Sequence, residues 1–188
     1  SAPRSAPVGV SDPDFGERAA SAGSAAGASL IARAYFARIP GTAAEARVIQ
    51  RLLPEAVGLS GERATETALK ELHGPRLLHV ATHGFFLDAL GAASGVRGFE
   101  IVDEPVATKA GPPRRVDPMT SSGLALAGAN RRQSGADDGI LSALEASSLD
   151  LAGTRLVVLS ACQTGLGDAA AGHGVAGLRR ALAVAGAE

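Results

Sequence analysis

Two continuous apolar runs dominate the hydrophobic pattern of the chain. The first is "RLLHVAT", residues 76–82, and the second is "TRLVVLSA", residues 154–161. Runs of this length between helical patterns are typical of strands that are buried on both faces. The pattern therefore predicts two buried strands of a mainly parallel sheet, and an α/β fold with helices on both faces.

Helical periodicity separates these runs. A strand, a turn at Pro40-Gly41 and then a helix are predicted for residues 29–53, and a second helix is predicted around Thr65 to Leu72. Thr42 with Glu45, and Ser142 with Glu145, have the spacing of capping boxes, which predicts a helix start at each. In the last segment one helical face collects the apolar residues Val175, Leu178, Leu182 and Ala185.

Composition changes along the chain suggest the domain boundaries. Residues 1–28 are rich in Ala, Ser, Gly and Pro, so they are predicted to be a flexible linker, and the domain is predicted to span residues 29–188. Residues 88–117 are predicted to form a long surface insertion. The sequence ends on "AGAE" directly after a helix, where an α/β fold usually returns to its sheet, so we expect the domain to be incomplete at this end.

Charge and composition exclude several classes of protein. The chain has 18 basic and 19 acidic residues, which is not the footprint of a nucleic-acid-binding or membrane-surface protein. Neither a membrane-spanning segment nor a signal peptide can be recognised, so a cytoplasmic location is predicted. The single cysteine cannot form an internal disulfide, and is therefore either a small core residue or a nucleophile.

Candidate chemistry lies directly after the two apolar runs. His83 follows the first run and Cys162 follows the second. The carboxyl ends of neighbouring parallel strands meet at one edge of a sheet, so an imidazole and a thiol are predicted to lie close together there. A Cys-His pair can perform acyl transfer, because the imidazole accepts the thiol proton and the thiolate attacks a carbonyl. The adjacent residues Gly84, Gly165 and Gly167 leave the backbone open to a substrate and to a developing oxyanion.

The cysteine could instead be an inert core residue, whereas the sequence argues against a phosphatase or a nucleotide site. An inert core thiol is the commonest role of a cysteine at a strand end. Phosphatases with a catalytic cysteine require an arginine at the end of the loop that follows it, and here that position is Asp168, which would repel phosphate. No glycine-rich loop with Lys-Ser or Lys-Thr follows a strand, so a nucleotide site of the P-loop type has no support.

At these residues the sequence resembles the CHAT family, caspase-like peptidase domains often attached to tetratricopeptide repeats. The shared segments cover about residues 30–187 and are "PGTAAEA", "LLHVATHGFF", "SGLALAGAN", "DGILSALEASSLDLAGTRLVVLSACQTGLGD" and "GVAGLRRALAVAGA". The resemblance implies a caspase-like α/β fold, bacterial origin, a peptide substrate and a reaction without metal or cofactor. The chain departs from the family at His173, where an acidic residue is usual, and at its end, where the family continues into another strand and a loop.

The resemblance also implies roles for individual residues. Cys162 is expected to be the nucleophile and His83 its base, with the oxyanion held beside Gly84 and Cys162. Asp138 and Asp168, with Asp137, are candidates for binding a basic substrate side chain, although solvated loop carboxylates are the commoner case. His79 lies inside the apolar run and is predicted to be a core or supporting histidine. Two other functions stay open: a catalytically idle interaction module, partnered by repeats or another protein, and a hydrolase for a small ester or amide.

Overall fold

The computed structural model describes residues 1–17, 34–86, 99–101, 117–161 and 169–188. Within these ranges the side chains of residues 99–101 and 169–175 are not described. The described strands are β1 (Val8–Pro13), β2 (Ala34–Phe36), β3 (Val57–Gly61), β4 (Leu77–Ala81), β5 (Gly84–Phe86), β6 (Phe99–Ile101), β7 (Ser122–Ala125), β8 (Ile140–Ser142) and β9 (Leu156–Leu159). The described helices are α1 (Pro40–Leu52), α2 (Glu66–Lys70), α3 (Pro118–Ser121), α4 (Ala143–Ala146) and α5 (Ala169–Val184). None of these helices combines the length and the hydropathy needed to cross a membrane.

A parallel sheet with the strand order β3-β1-β4-β9 forms the centre of the fold. Its two predicted strands, β4 and β9, are neighbours in register, with His79 opposite Val158. One face of the sheet packs against α4 and α5 in the main apolar core, and α1 lies on the other face. The predicted α/β architecture, a mainly parallel sheet with helices on both faces, is confirmed.

Two antiparallel sheets complete the described architecture. Strands β5, β7 and β8 form a three-stranded sheet, and β2 pairs with β6. Strand β5 begins directly after His83, so the chain passes from the parallel sheet into the antiparallel one at this residue. Strand β6 falls inside the predicted insertion, so residues 99–101 belong to the paired framework. The other positions of residues 88–116 lie outside the described part.

The prediction of a linker at residues 1–28 is wrong for residues 1–17. Strand β1 lies between β3 and β4 and pairs with both. Val8 and Val10 are buried in the core, at 5% and 0% exposure. The composition of this segment hides the strand, because Gly9 and Ser11, which alternate with the two valines, are small residues. Residues 18–28 lie outside the described part.

The predicted helix starts have different outcomes. Ser142 and Glu145 form the capping box that their spacing predicts. Thr42 and Glu45 do not, because α1 begins earlier, at Pro40, and its N-cap residue is Ile39. The Thr42 hydroxyl instead donates to the Ile39 carbonyl and accepts from the Asp12 amide, which ties α1 to the end of β1. Helix α2 confirms the predicted helix around Thr65 to Leu72, and its N-cap is Thr65.

The last predicted strand and helix are found, with one correction. In α5, Leu178 and Leu182 are buried, and so is Ala185 just beyond it, as the helical pattern predicts. The side chain of Val175 is outside the described part. Strand β9 is less buried than expected, and Leu156 is 50% exposed. The reason is its position, because within the described residues β9 pairs with β4 alone.

Candidate active site at the carboxyl edge of the sheet

The ends of β4 and β9 bring Gly84, the residue after His83, against Ala161. The Ser160 amide donates to the Val80 carbonyl over 2.8 Å, so the strand pairing continues to the residue before Ala161. A Cβ atom built on Gly84 would lie 3.1 Å from the Ala161 Cβ. This close approach explains a glycine after His83, since a larger residue would push the two segments apart. Cys162 is the next residue in the chain and lies outside the described residues, as do Asp168 and Gly165.

His83 is held by a backbone carbonyl. Its side chain is 2% exposed, and its Nε2 lies 2.6 Å from the Ala37 oxygen. A carbonyl only accepts hydrogen bonds, so the proton must be on Nε2 and the neutral ring keeps a lone pair on Nδ1. Nδ1 has no hydrogen-bond partner within the described part of the chain. The ring is therefore oriented, and its basic nitrogen is buried without a partner among the described residues.

Aromatic rings surround this histidine. The ring centroids of Phe15 and Phe36 lie 5.3 and 5.8 Å from that of His83. Burial lowers the pKa of His83 below the ordinary histidine value, and the hydrogen bond to Ala37 opposes this shift only partly. The imidazole is thus neutral near pH 7, as a proton acceptor must be.

This shift predicts a pH dependence of stability. The folded-state pKa of His83 lies below the unfolded-state pKa, so the unfolded chain binds more protons at acidic pH. The contribution of His83 is therefore complete above pH of about 6.5 and is lost as the pH falls through the folded-state pKa. Urea unfolding at pH 7.5 and 5.5 should show a larger loss of stability for the unmodified protein than for His83→Gln. Equal losses would contradict the assignment.

Sequence reasoning could not have found Ala37 as the orienting group. Its contribution is a backbone oxygen, which any residue supplies. The position is set by β2, which ends at Phe36, and by Asn130, whose side chain bonds both the amide and the carbonyl of Phe36. Asn130 ends the segment "SGLALAGAN", which contains β7.

The predicted acidic residues have local roles. Asp137 accepts hydrogen bonds from Thr67 and from Lys70, and both interactions lower the pKa of this carboxyl. Asp138 accepts from the Ile140 amide over 2.8 Å at the start of β8. Neither contact tests a substrate-binding role, so the assignment of Asp138 and Asp168 stays a prediction.

A cavity of about 380 Å³ lies at the carboxyl ends of β1 and β3, next to His83. Phe15 and Phe36 contact the His83 ring and also line this cavity. Its other lining residues include Asp12, Asp14, Glu62, Tyr35 and Arg38. Sequence reasoning missed it because residues 1–28 were interpreted as a linker. The segment "SDPDF", at the end of β1, could have indicated the cavity, because it contains two carboxylates and an aromatic ring.

Charges in this cavity are predominantly negative. Arg38 bonds both carboxylate oxygens of Asp12, at 2.9 and 2.6 Å, and these contacts hold the pKa of Asp12 below its usual value. Asp14 and Glu62 have no salt bridge with any described residue. The Arg131 guanidinium also lies against Gly16 of the lining. Two guanidinium groups therefore accompany three carboxylates, and the excess of negative charge favours a positively charged group in the cavity.

His79 is buried, as predicted for a core or supporting histidine. It is 6% exposed, and its Nε2 lies 3.0 Å from the Glu45 Oε1. The Ser160 hydroxyl donates to the other oxygen of Glu45 over 2.9 Å. Glu45, missed as a site residue because its spacing suggested a helix cap, thus links α1 to β4 and to the segment that leads to Cys162.

Comparisons with known proteins give one match. The family model described as CHAT domain matches residues 1–188, the full length of the chain. No curated protein and no solved structure matches significantly.

Proposed function

Because the chain belongs to the CHAT domain family, we propose that it is a cysteine endopeptidase that cleaves a protein substrate through Cys162 and His83. The family is related to the caspase-like peptidases. Catalysis by this chain, the cysteine chemistry and the protein substrate are the parts that we propose. Regulation by attached tetratricopeptide repeats or by a partner belongs to the same proposal and rests on the resemblance.

One observation carries the proposal: His83 is buried and oriented, and Gly84, the residue after it, lies against Ala161, which precedes the only cysteine of this sequence. The Nδ1 lone pair of His83 has no partner within the described residues, and Gly84 approaches Ala161 closely. Packing alone gives no reason for a buried histidine to leave a ring nitrogen without a partner in the part of the chain that the structure describes.

The proposed reaction uses the Cys162 thiol and the His83 imidazole. Nδ1 of His83 accepts the proton of the Cys162 thiol, and the thiolate attacks the substrate carbonyl. Backbone amides at Gly84 and Cys162 stabilise the oxyanion. Collapse of this intermediate breaks the peptide bond, as His83 gives its proton to the leaving amine and a thioester remains on Cys162. Water, deprotonated by His83, then hydrolyses the thioester and releases the acid.

The acidic cavity supports a preference for substrates with Arg or Lys near the scissile bond. Phe15 and Phe36 line the cavity and also contact the His83 ring. The stem of an Arg or Lys side chain can pack on these rings while its charge meets Asp14 and Glu62. Asp138 and Asp168 remain the alternative acidic residues for this role.

Covalent labelling tests the proposal. Cys162 is the only cysteine of these 188 residues, so the stoichiometry of labelling of this chain reports on this residue alone. A peptide acyloxymethyl ketone with Arg before the reactive group should label this chain at Cys162, which peptide mapping by mass spectrometry verifies. The same reagent should label the His83→Gln variant at least about 100-fold more slowly, because the thiol loses its base.

The matched control is iodoacetamide on the unfolded protein, which must modify Cys162 fully. If the native protein takes up no ketone while the unfolded protein is alkylated, the peptidase assignment is wrong. The idle interaction module would then be the better description. A peptide library separates the remaining alternative, because a hydrolase for small esters or amides would cleave no member of it.

A further inference from the structure

Helix α1 is attached to the sheet by polar side chains near its beginning. Of its thirteen residues, only Thr42 is buried, and Val48 and Leu52 further along are 44% and 74% exposed. The Thr42 hydroxyl accepts from the Asp12 amide at the end of β1. Glu45, in the next turn of the helix, makes a second attachment. The position of α1 on the sheet therefore depends on specific hydrogen bonds as well as on packing.

The Glu45 carboxylate joins two neighbouring strands. Its Oε1 lies 3.0 Å from Nε2 of His79 in β4, and its Oε2 accepts from the hydroxyl of Ser160, directly after β9, over 2.9 Å. An ionised carboxylate only accepts hydrogen bonds, so the imidazole proton is on Nε2. His79 pairs with Val158, two residues before Ser160. Each oxygen of Glu45 thus bonds a different strand.

Ser160 is held through both its backbone and its side chain. Its amide donates to the Val80 carbonyl of β4 over 2.8 Å, and its hydroxyl donates to Glu45. A serine commonly bonds a nearby backbone group, whereas the partner here is 115 residues away in the sequence. Strand β9 ends at Leu159, one residue earlier. The hydroxyl contact therefore fixes the end of β9 from outside the sheet.

The two strands that Glu45 joins lead to the two residues of the proposed dyad. His83 lies four residues after His79, and Cys162 lies two residues after Ser160. Proton transfer and nucleophilic attack need closely aligned atoms, and a misplacement of about 1 Å can lower the rate about 100-fold. The contacts of Glu45 are therefore in a position to align one strand end with the other.

We propose that Glu45 is a positioning residue for the peptidase reaction, an assignment that rests on the proposed function. It holds the end of β9 through Ser160 and β4 through His79, and so sets where the segment with Cys162 begins relative to His83. Both partners of Glu45 are hydrogen-bonding groups. The role therefore needs two hydrogen-bonding atoms at this position and does not need the negative charge.

Kinetics of Glu45 variants test the assignment with a fluorogenic peptide that has Arg before the cleaved bond. Glu45→Ala removes both contacts and should lower kcat at least about 10-fold with less than about a 2-fold change in KM, because alignment and not substrate binding is lost. Glu45→Gln should keep at least about a third of kcat, since its amide oxygen accepts from His79 and its nitrogen donates to the Ser160 hydroxyl. As control, Glu55→Ala removes an exposed carboxylate that contacts Arg76 and should leave kcat within about 2-fold.

A double-mutant cycle identifies Ser160 as the partner. Ser160→Ala should lower kcat at least about 5-fold, and Ser160→Thr, which retains the hydroxyl, should restore most of the activity. Adding Ser160→Ala to Glu45→Ala should lower kcat by less than about a further 2-fold, because the contact is already absent. Losses that multiply would overturn the assignment. So would equal losses in Glu45→Gln and Glu45→Ala, since the charge of Glu45 would then be what matters.

Amide hydrogen exchange measures the position of the strand end without relying on activity. In Glu45→Ala, protection of the Ser160 amide should fall at least about 10-fold more than that of Val10 in the centre of the sheet, because the loosening is local. If the unmodified chain cleaves no peptide while Ser160 loses protection in this way, the proposed function is wrong and Glu45 still positions the end of β9. If protection falls equally at Ser160 and Val10, or if kcat of Glu45→Ala stays within about 2-fold, the positioning role is wrong.

Discussion

Replacing His83 with glutamine is expected to lower kcat/KM for a peptide substrate about 1,000-fold or more. Glutamine has no basic nitrogen, so the thiol of Cys162 would lose its proton acceptor and the leaving amine its proton donor. The side-chain amide can still donate to the Ala37 carbonyl in place of Nε2. The variant should therefore fold, and the loss should reflect chemistry rather than unfolding. Steady-state kinetics with a fluorogenic peptide, together with a thermal melt, measures both.

His73→Gln is the matched control. This histidine is exposed and contacts Asp150 at the protein surface, 3.2 Å from its Nδ1. Its replacement should change kcat/KM by less than 2-fold, because surface substitutions of this kind have small effects. If His83→Gln retained a tenth or more of the activity of the unmodified enzyme, His83 would not be the base.

The sequence was informative where apolar side chains are continuous. The segments "RLLHVAT" and "TRLVVLSA" predict β4 and β9, and the structure confirms them as neighbouring parallel strands. That their ends bring His83 and Cys162 together stays a prediction, since Cys162 lies outside the described residues. The strands are recognisable because strand burial and the geometry of parallel sheets act together. The covered strand needs apolar residues, and the parallel sheet brings the strand ends to one side.

The sequence pattern did not predict the elements that depend on small residues or on backbone groups. Strand β1 was interpreted as part of a linker, because on its α1 side it carries Gly9 and Ser11 instead of apolar side chains. Ala37 orients His83 with a carbonyl, and no side-chain pattern reports that.

The surroundings of His83 are assembled from three separate segments of the chain. Phe15 follows β1, Ala37 follows β2, and His83 follows β4. A histidine after a strand end is readily recognised in a sequence, but its partners come from regions that only the fold brings together. Their relative position depends on a polar side chain that joins the first two segments.

Asn130 is that side chain, and Asn130→Ala is expected to destabilise the fold by about 3 kcal/mol. Its Oδ1 accepts from the Phe36 amide over 2.8 Å, and its Nδ2 donates to the carbonyls of Gly16 and Phe36 at 2.8 and 3.0 Å. Asn130 is 8% exposed, so water cannot readily replace these bonds. Urea unfolding measures the loss, and Gln133→Ala, at an exposed position nearby, should change stability by less than about 0.5 kcal/mol.

Asn130→Asp distinguishes the loss of the Asn130 hydrogen bonds from the loss of side-chain volume. Aspartate keeps an acceptor for the Phe36 amide but cannot donate to the Gly16 and Phe36 carbonyls when ionised. It should therefore destabilise the fold at least as much as alanine at pH 7, although it fills the same space. Both variants should also lower kcat more than they change KM, because Phe36 precedes the carbonyl that orients His83. A stability change below 0.5 kcal/mol in both variants would show that the three hydrogen bonds do not hold these segments together.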